Sequence, residues 1–141
     1  MIRLWLISMF FMFIIIITVG GLTRLTDSGL SITQWELFKG ILPPLNIDQW
    51  NFYFNEYKKI PEYQSINFNM NINDFKVIYY WEYAHRLIAR LIGLFAILPL
   101  VFIYLKHKGK LIKDLKYLSI FGLVCFQGFI GWFMVKSGLI N

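Results

Sequence analysis

Tyr79-Tyr80-Trp81-Glu82-Tyr83-Ala84-His85-Arg86-Leu87-Ile88-Ala89-Arg90 opens an apolar run that continues to Leu105, and its reading decides the fold. Each ionisable side chain near the middle of a membrane helix costs about 2.5–3.5 kcal/mol on insertion scales, so such groups face a partner or a cavity. Glu82 and His85 are three residues apart and Glu82 and Arg86 four apart, which puts all three on one face of a helix. Steps of three and four continue that face through Ala89, Gly93 and Ala96. A polar end thus gives way to small residues, along which a flat ligand or another backbone can approach closely.

Two readings of the cluster stand side by side. In one, Glu82 and Arg86 form an intrahelical ion pair and His85 is an interfacial residue with a satisfied hydrogen bond. In the other, His85 ligates a metal or haem iron while Glu82 does proton or electrostatic work beside it. Neutral imidazole is the commonest side-chain metal ligand, and a carboxylate within reach can tune it or act as acid or base.

Of 141 residues, 57% are hydrophobic and 19% aromatic, which is not the make-up of an ordinary soluble domain. Leu4 to Thr23 carries no charge, and about 20 residues at roughly 1.5 Å each span the roughly 30 Å hydrocarbon core. A signal peptide competes less well, because no small-x-small cleavage site follows and the apolar core exceeds the roughly 7–15 residues usual for one. The pattern predicts an all-α integral membrane protein, a single membrane domain over 1–141. Three transmembrane helices are expected at about 4–19, 77–105 and 117–135, with a long, partly helical outer loop over 20–76 and a short loop over 106–116.

The short loop carries Lys106, Lys108, Lys110, Lys113 and Lys116 against Asp114 alone, while the long loop is nearly balanced. By the positive-inside rule the short loop is cytoplasmic, and with it the amino terminus bearing Arg3. The long loop, the Glu82/His85 end and the carboxyl terminus then face outward. The net charge of +6 is accounted for by topology and attraction to membrane lipid, with no need for nucleic acid. Cys125 is a lone cysteine and excludes an intrachain disulfide, and His107 among lysines reads as a solvated side chain. No Gly-rich phosphate loop, zinc spacing or nucleophile elbow occurs.

Beyond the first span, the glycines and short hydroxyl side chains between Val19 and Leu30 predict a tight, hydrogen-bonded turn. Arg24 there is either an ordinary loop residue or a contact for an anionic group such as a haem propionate. Ser31-Ile32-Thr33-Gln34 matches a capping box and opens a short helix that Gly40 can end. Pro43-Pro44 interrupts regular structure. A second short helix from an Asp48 cap to Lys59 places Trp50, Tyr53, Phe54 and Tyr57 on one face. This loop reads as a folded cover over the outer mouth, with membrane anchoring by its aromatics as the alternative. Asn71 and Asp74 can cap the second long helix. On the third span Leu123, Gln127 and Gly131 share a face beside Gly128, which predicts close helix packing.

Taken together, Gly20-Gly21-Leu22-Thr23-Arg24-Leu25-Thr26-Asp27-Ser28-Gly29-Leu30-Ser31-Ile32-Thr33-Gln34-Trp35, Leu42-Pro43-Pro44-Leu45, Pro61-Glu62-Tyr63, Trp81-Glu82-Tyr83-Ala84-His85-Arg86 and Gln127-Gly128-Phe129-Ile130-Gly131-Trp132-Phe133-Met134-Val135-Lys136-Ser137-Gly138-Leu139 resemble the amino-terminal half of haem A synthase. The likeness is to the bacterial and mitochondrial branch that serves cytochrome oxidase assembly, and it covers essentially the whole chain. It implies two similar four-helix halves, each holding a haem between two histidines near the outer face, so the three spans here would belong to one half-bundle.

The resemblance further implies an oxidoreductase of haem A biosynthesis in the bacterial inner membrane. Such an enzyme oxidises a methyl of haem O to the formyl of haem A by successive hydroxylations, with electrons removed. Haem O is then the substrate, haem b an electron-transfer cofactor of the full enzyme, and haem O synthase a partner. Glu82 and His85 match the family's Glu-x-x-His motif. His85 is accordingly expected as an axial ligand of haem iron, and Glu82 as the carboxylate beside the reacting methyl, stabilising positive charge or taking a proton. Arg24, Arg86 and Arg90 are expected to pair with propionates or with Glu82.

The family continues past the third span to a fourth helix bearing the second histidine of this half, and then to the second half. Because this chain ends at Asn141, a bis-histidine site is expected to need a carboxyl-terminal half supplied separately. Some branches also carry a cysteine pair in the first outer loop, which is absent here. Two other functions remain open. One is a non-catalytic haem-binding membrane cytochrome, which needs His85 but not Glu82; the other is an inactive truncated remnant that inserts and binds nothing.

Overall fold

The computed structural model describes residues 2–34, 39–106 and 115–138. Uninterrupted apolar runs become its long helices. The order is α1 (Ile2–Leu25), the short outer helices α2 (Ile47–Tyr57) and α3 (Pro61–Ser65), then α4 (Ile72–Lys106) and α5 (Leu115–Gly138). No strand occurs among the described residues, and α1, α4 and α5 are long and apolar enough to cross a membrane. The loop joining α4 to α5, with its lysines and His107, lies outside the described residues.

Each long helix outruns the apolar span that announces it. With 35 residues at about 1.5 Å each, α4 exceeds the roughly 30 Å hydrocarbon core, so one of its ends stands outside the apolar layer. Its start is capped as the sequence predicts, with Asn71 Oδ1 accepting the Asp74 N–H at 3.1 Å. The expected end of the first span at about 19 is corrected, since α1 continues through Gly20 and Gly21 to Leu25, and the expected tight, hydrogen-bonded turn follows it. The helix ends in a Schellman turn, with the Ser28 N–H donating to Thr23 O at 2.9 Å and the Asp27 N–H to Arg24 O at 3.3 Å. Asp27 takes the left-handed position with φ 47°, where glycine is usual.

Two caps also differ from expectation. No helix begins within 31–34, because the Ser31 hydroxyl is drawn away to α4; the remainder of that expected helix, 35–38, lies outside the described residues. A single 3-10 turn, Lys39–Ile41, follows. For α2 the cap is Asn46 and not Asp48, with Asn46 Oδ1 accepting the Gln49 N–H at 2.8 Å. The short α3, opened by Pro61 in its first turn, was not anticipated.

The outer segment packs on the first turns of α4. Trp50, Phe54 and Tyr57 of α2 are buried with Phe75, Ile78 and Tyr79 of α4, and Trp50 meets Tyr79 edge-on at 5.0 Å between ring centres. Burying each large side chain contributes about 1.5–3 kcal/mol, enough to hold a short helix with little intrinsic stability. The aromatic face of α2 therefore covers the bundle and does not lie on the bilayer.

Below this cover, α1 and α4 run antiparallel. Met9, Ile92 and Ala96 are buried, with Trp5, Met12, Ile16 and Ile88 around them, and α5 joins through Phe121 and Val124. Pro99 lacks the N–H that would reach the Phe95 carbonyl one turn back, and the Trp5 Nε1–H of α1 donates to that carbonyl at 2.7 Å.

Candidate functional site

Where the outer segment meets α4, Glu82 is only 3% exposed. Its Oε2 accepts the Ser31 hydroxyl at 2.6 Å and the Ile32 N–H at 2.7 Å. Its Oε1 accepts Arg86 Nε at 3.0 Å and Nη2 at 2.5 Å. Arg86 also donates to the carbonyls of Ile32 at 2.8 Å and Gln34 at 3.4 Å, and the Tyr83 hydroxyl donates to Ile41 O at 2.6 Å. One face of α4 thereby straps down the backbone at 31–34 and at Ile41. A buried carboxylate is tolerable when paired and hydrogen-bonded in this way. The intrahelical ion pair of the first sequence reading is present, and the outer segment completes it.

His85 meets a different neighbour. It is half-buried against α1, and a Cβ added to Gly20 would stand 3.2 Å from its Nε2. Among the described residues its ring makes no hydrogen bond, so the satisfied interfacial histidine of the first reading is not what the structure holds. Along the same face Ala89 is exposed, Gly93 has nothing within 4 Å of where a side chain would be, and Ala96 is fully buried against α1. The small-residue groove is thus open at Ala89 and Gly93 and filled by helix packing at Ala96, about three turns from His85.

The remaining candidates divide. Arg90 lines a cavity of about 10 Å³ with Gln34, Tyr53, Tyr79, Tyr83 and Arg86, room for about one water. Arg24, one turn beyond Gly20, is exposed. Among the described residues no group of three or more His, Cys, Asp or Glu could hold a metal ion. An iron carried in a porphyrin asks for less, since it needs one axial side chain per face, and a neutral histidine supplies that.

Sequence reasoning anticipated the Glu82–Arg86 ion pair but not the Ser31 bond to Glu82 or the approach of Gly20 to His85. The signal for Ser31 was masked by its local capping pattern. That for Gly20 was present as a glycine inside an apolar helical run, where close approach is the usual reason.

A family model for cytochrome oxidase assembly proteins matches residues 3–141. The haem A synthase of Pelagibacter ubique (strain HTCC1062) is 64% identical over 139 residues, covering 99% of this chain and 41% of that protein. That of Rickettsia bellii (strain OSU 85-389) is 49% identical over 137 residues, 97% of this chain and 41% of the relative. That of Agrobacterium fabrum is 47% identical over 141 residues, all of this chain and 39% of the relative. The chain therefore spans about two fifths of the length of the curated relatives it matches. No solved structure matches it.

Proposed function

The chain belongs to the cytochrome oxidase assembly protein family, and from that premise we propose that it is the amino-terminal part of a haem A synthase, oxidising a methyl of haem O to the formyl of haem A once the carboxyl-terminal helices are present. The proposal includes residence in a bacterial inner membrane, with the lysine-rich 106–116 connection inside and the outer segment and His85 outside. What carries the reading is a half-buried imidazole without a hydrogen bond, one turn from a buried carboxylate, beside an open small-residue groove.

His85 would hold haem iron through a ring nitrogen of its neutral imidazole. When bound there, haem supplies the methyl to be oxidised and an iron to which the protein contributes only a ligand and a field. The strapped 31–34 segment keeps water from Glu82. Glu82 lends a negative charge fixed in place by Ser31, Ile32 and Arg86 before substrate arrives, and a preorganised charge in a dry cleft favours developing positive charge more than it would in water. Arg86 bonds Glu82 and strap carbonyls, and Arg24 and Arg90 are the proposed propionate contacts, because guanidinium pairs bidentately with carboxylates.

A second reading, haem binding without catalysis, draws support from the full hydrogen-bonding of Glu82, which fits a purely architectural carboxylate as well. Glu82→Gln separates the two in a protein completed with the carboxyl-terminal remainder of a relative. The synthase reading expects extracted haem to contain haem O and no haem A, with haem still bound. Undiminished haem A would sink the role of Glu82.

A further inference from the structure

Gly20 and Gly21 stand together near the outer end of α1, and only at Gly20 would a side chain meet a neighbour at once. A Cβ at Gly21 would have nothing within 4 Å, whereas one at Gly20 would stand 3.2 Å from His85 Nε2 and 3.4 Å from its Cδ2. Gly20 lies inside a helix, where alanine is the more stable residue, so backbone conformation does not ask for glycine there. Space does. The α4 backbone beneath His85 is held by Glu82 and Arg86 through their bonds to Ser31, Ile32 and Gln34. A methyl at position 20 would therefore displace the imidazole ring and not the helix that carries it.

We infer that Gly20 is a positioning residue for His85: the bare α1 backbone sets the orientation in which the imidazole is presented to the iron of a porphyrin. This rests on the proposed ligand role of His85.

The chain extracted from membranes is titrated with haemin, and the Soret band is followed in the wild type, Gly20→Ala, Gly21→Ala and His85→Ala. The wild type and Gly21→Ala bind alike. His85→Ala loses the ligated spectrum, and Gly20→Ala binds about tenfold more weakly with an altered axial-ligand signature. Gly20→Ala indistinguishable from Gly21→Ala, while His85→Ala loses the spectrum, overturns the inference and leaves the ligand role standing. A His85→Ala chain that binds haemin like the wild type overturns the ligand role and this inference with it. Thermal unfolding separates positioning from general damage. Because the methyl conflicts with the ring alone, Gly20→Ala melts below Gly21→Ala, which gains the same helix propensity without the conflict, and the difference disappears when both are made in the His85→Ala background. If Gly20→Ala yields no folded chain, recovery of folding in the double variant supports the inference and its absence refutes it.

Discussion

Both oxygens of Glu82 are occupied, by Ser31 and Ile32 on one side and Arg86 on the other, so the charge cannot leave its place without breaking the strap. A hydrogen bond to an ionised group contributes about 1.5–3 kcal/mol, and Ser31→Ala should lower the unfolding free energy by about that amount while leaving the carboxylate in place. Unfolding in detergent measures it, and a change near zero would make Ser31 a bystander. Outside the membrane spans, Glu62 receives the Tyr57 hydroxyl at 3.3 Å. Burial first, and then the charge of Asp27, raise its carboxyl above the ordinary value of 4.5. The folded state thus holds that proton more tightly than the unfolded chain does. Its contribution is complete below about pH 4.5 and is lost as pH rises through the folded value. Glu62→Gln, which cannot ionise, should therefore melt above the wild type at neutral pH, with the gap closing in acid; a gap that widens in acid would reverse the sign. Asp27→Asn should narrow it. At this scale the helical period made Glu82, His85 and Arg86 legible as one face. It could not show that Ser31, 51 residues away from Glu82, was its partner, because a capping box is a local pattern and tertiary pairing overrode it.

The elements were legible by type and less so by their ends. Gly20-Gly21 reads as a turn because glycine usually punctuates, yet the apolar seam with α4 carries the helix through it. Asn46 displaces Asp48 as a cap by two residues, within the ambiguity that adjacent good caps create. Pro99 is the clearest case of one element completing another, since the carbonyl it leaves open on α4 is closed by an indole on α1. In lipid no water substitutes for that donor, so Trp5→Phe should cost about 0.6–2 kcal/mol. Pro99→Ala restores an N–H to the Phe95 carbonyl, and in that background Trp5→Phe should cost distinctly less. A double-mutant cycle by unfolding in detergent reads the coupling. Strictly additive costs would show that the indole and the proline act independently.

For the whole molecule, hydropathy alone gave the class of fold, because a bilayer admits few ways to satisfy a backbone and three apolar runs of this length satisfy it as helices. How α5 packs was not legible. Its glycines suggested close contact, but positions 122, 128 and 131 have nothing within 4 Å, and none of its most apolar window is buried. Burial of that face is a property of what surrounds the chain, which its own sequence describes only in part, since the chain spans 41% of its Pelagibacter ubique relative. Gly128→Leu tests this. In this chain alone a Cβ there meets no neighbour, and the change should be neutral to stabilising, by no more than the roughly 0.5–1 kcal/mol that replacing a helical glycine gains. In the chain joined to the carboxyl-terminal remainder of a relative, a close-packed glycine face would be overfilled at a cost of about 1–3 kcal/mol. Equal tolerance in both would assign the face to lipid, and the glycines would then mark no interface. A cost confined to the joined protein would show that α5 is shaped for a helix this chain does not itself contribute.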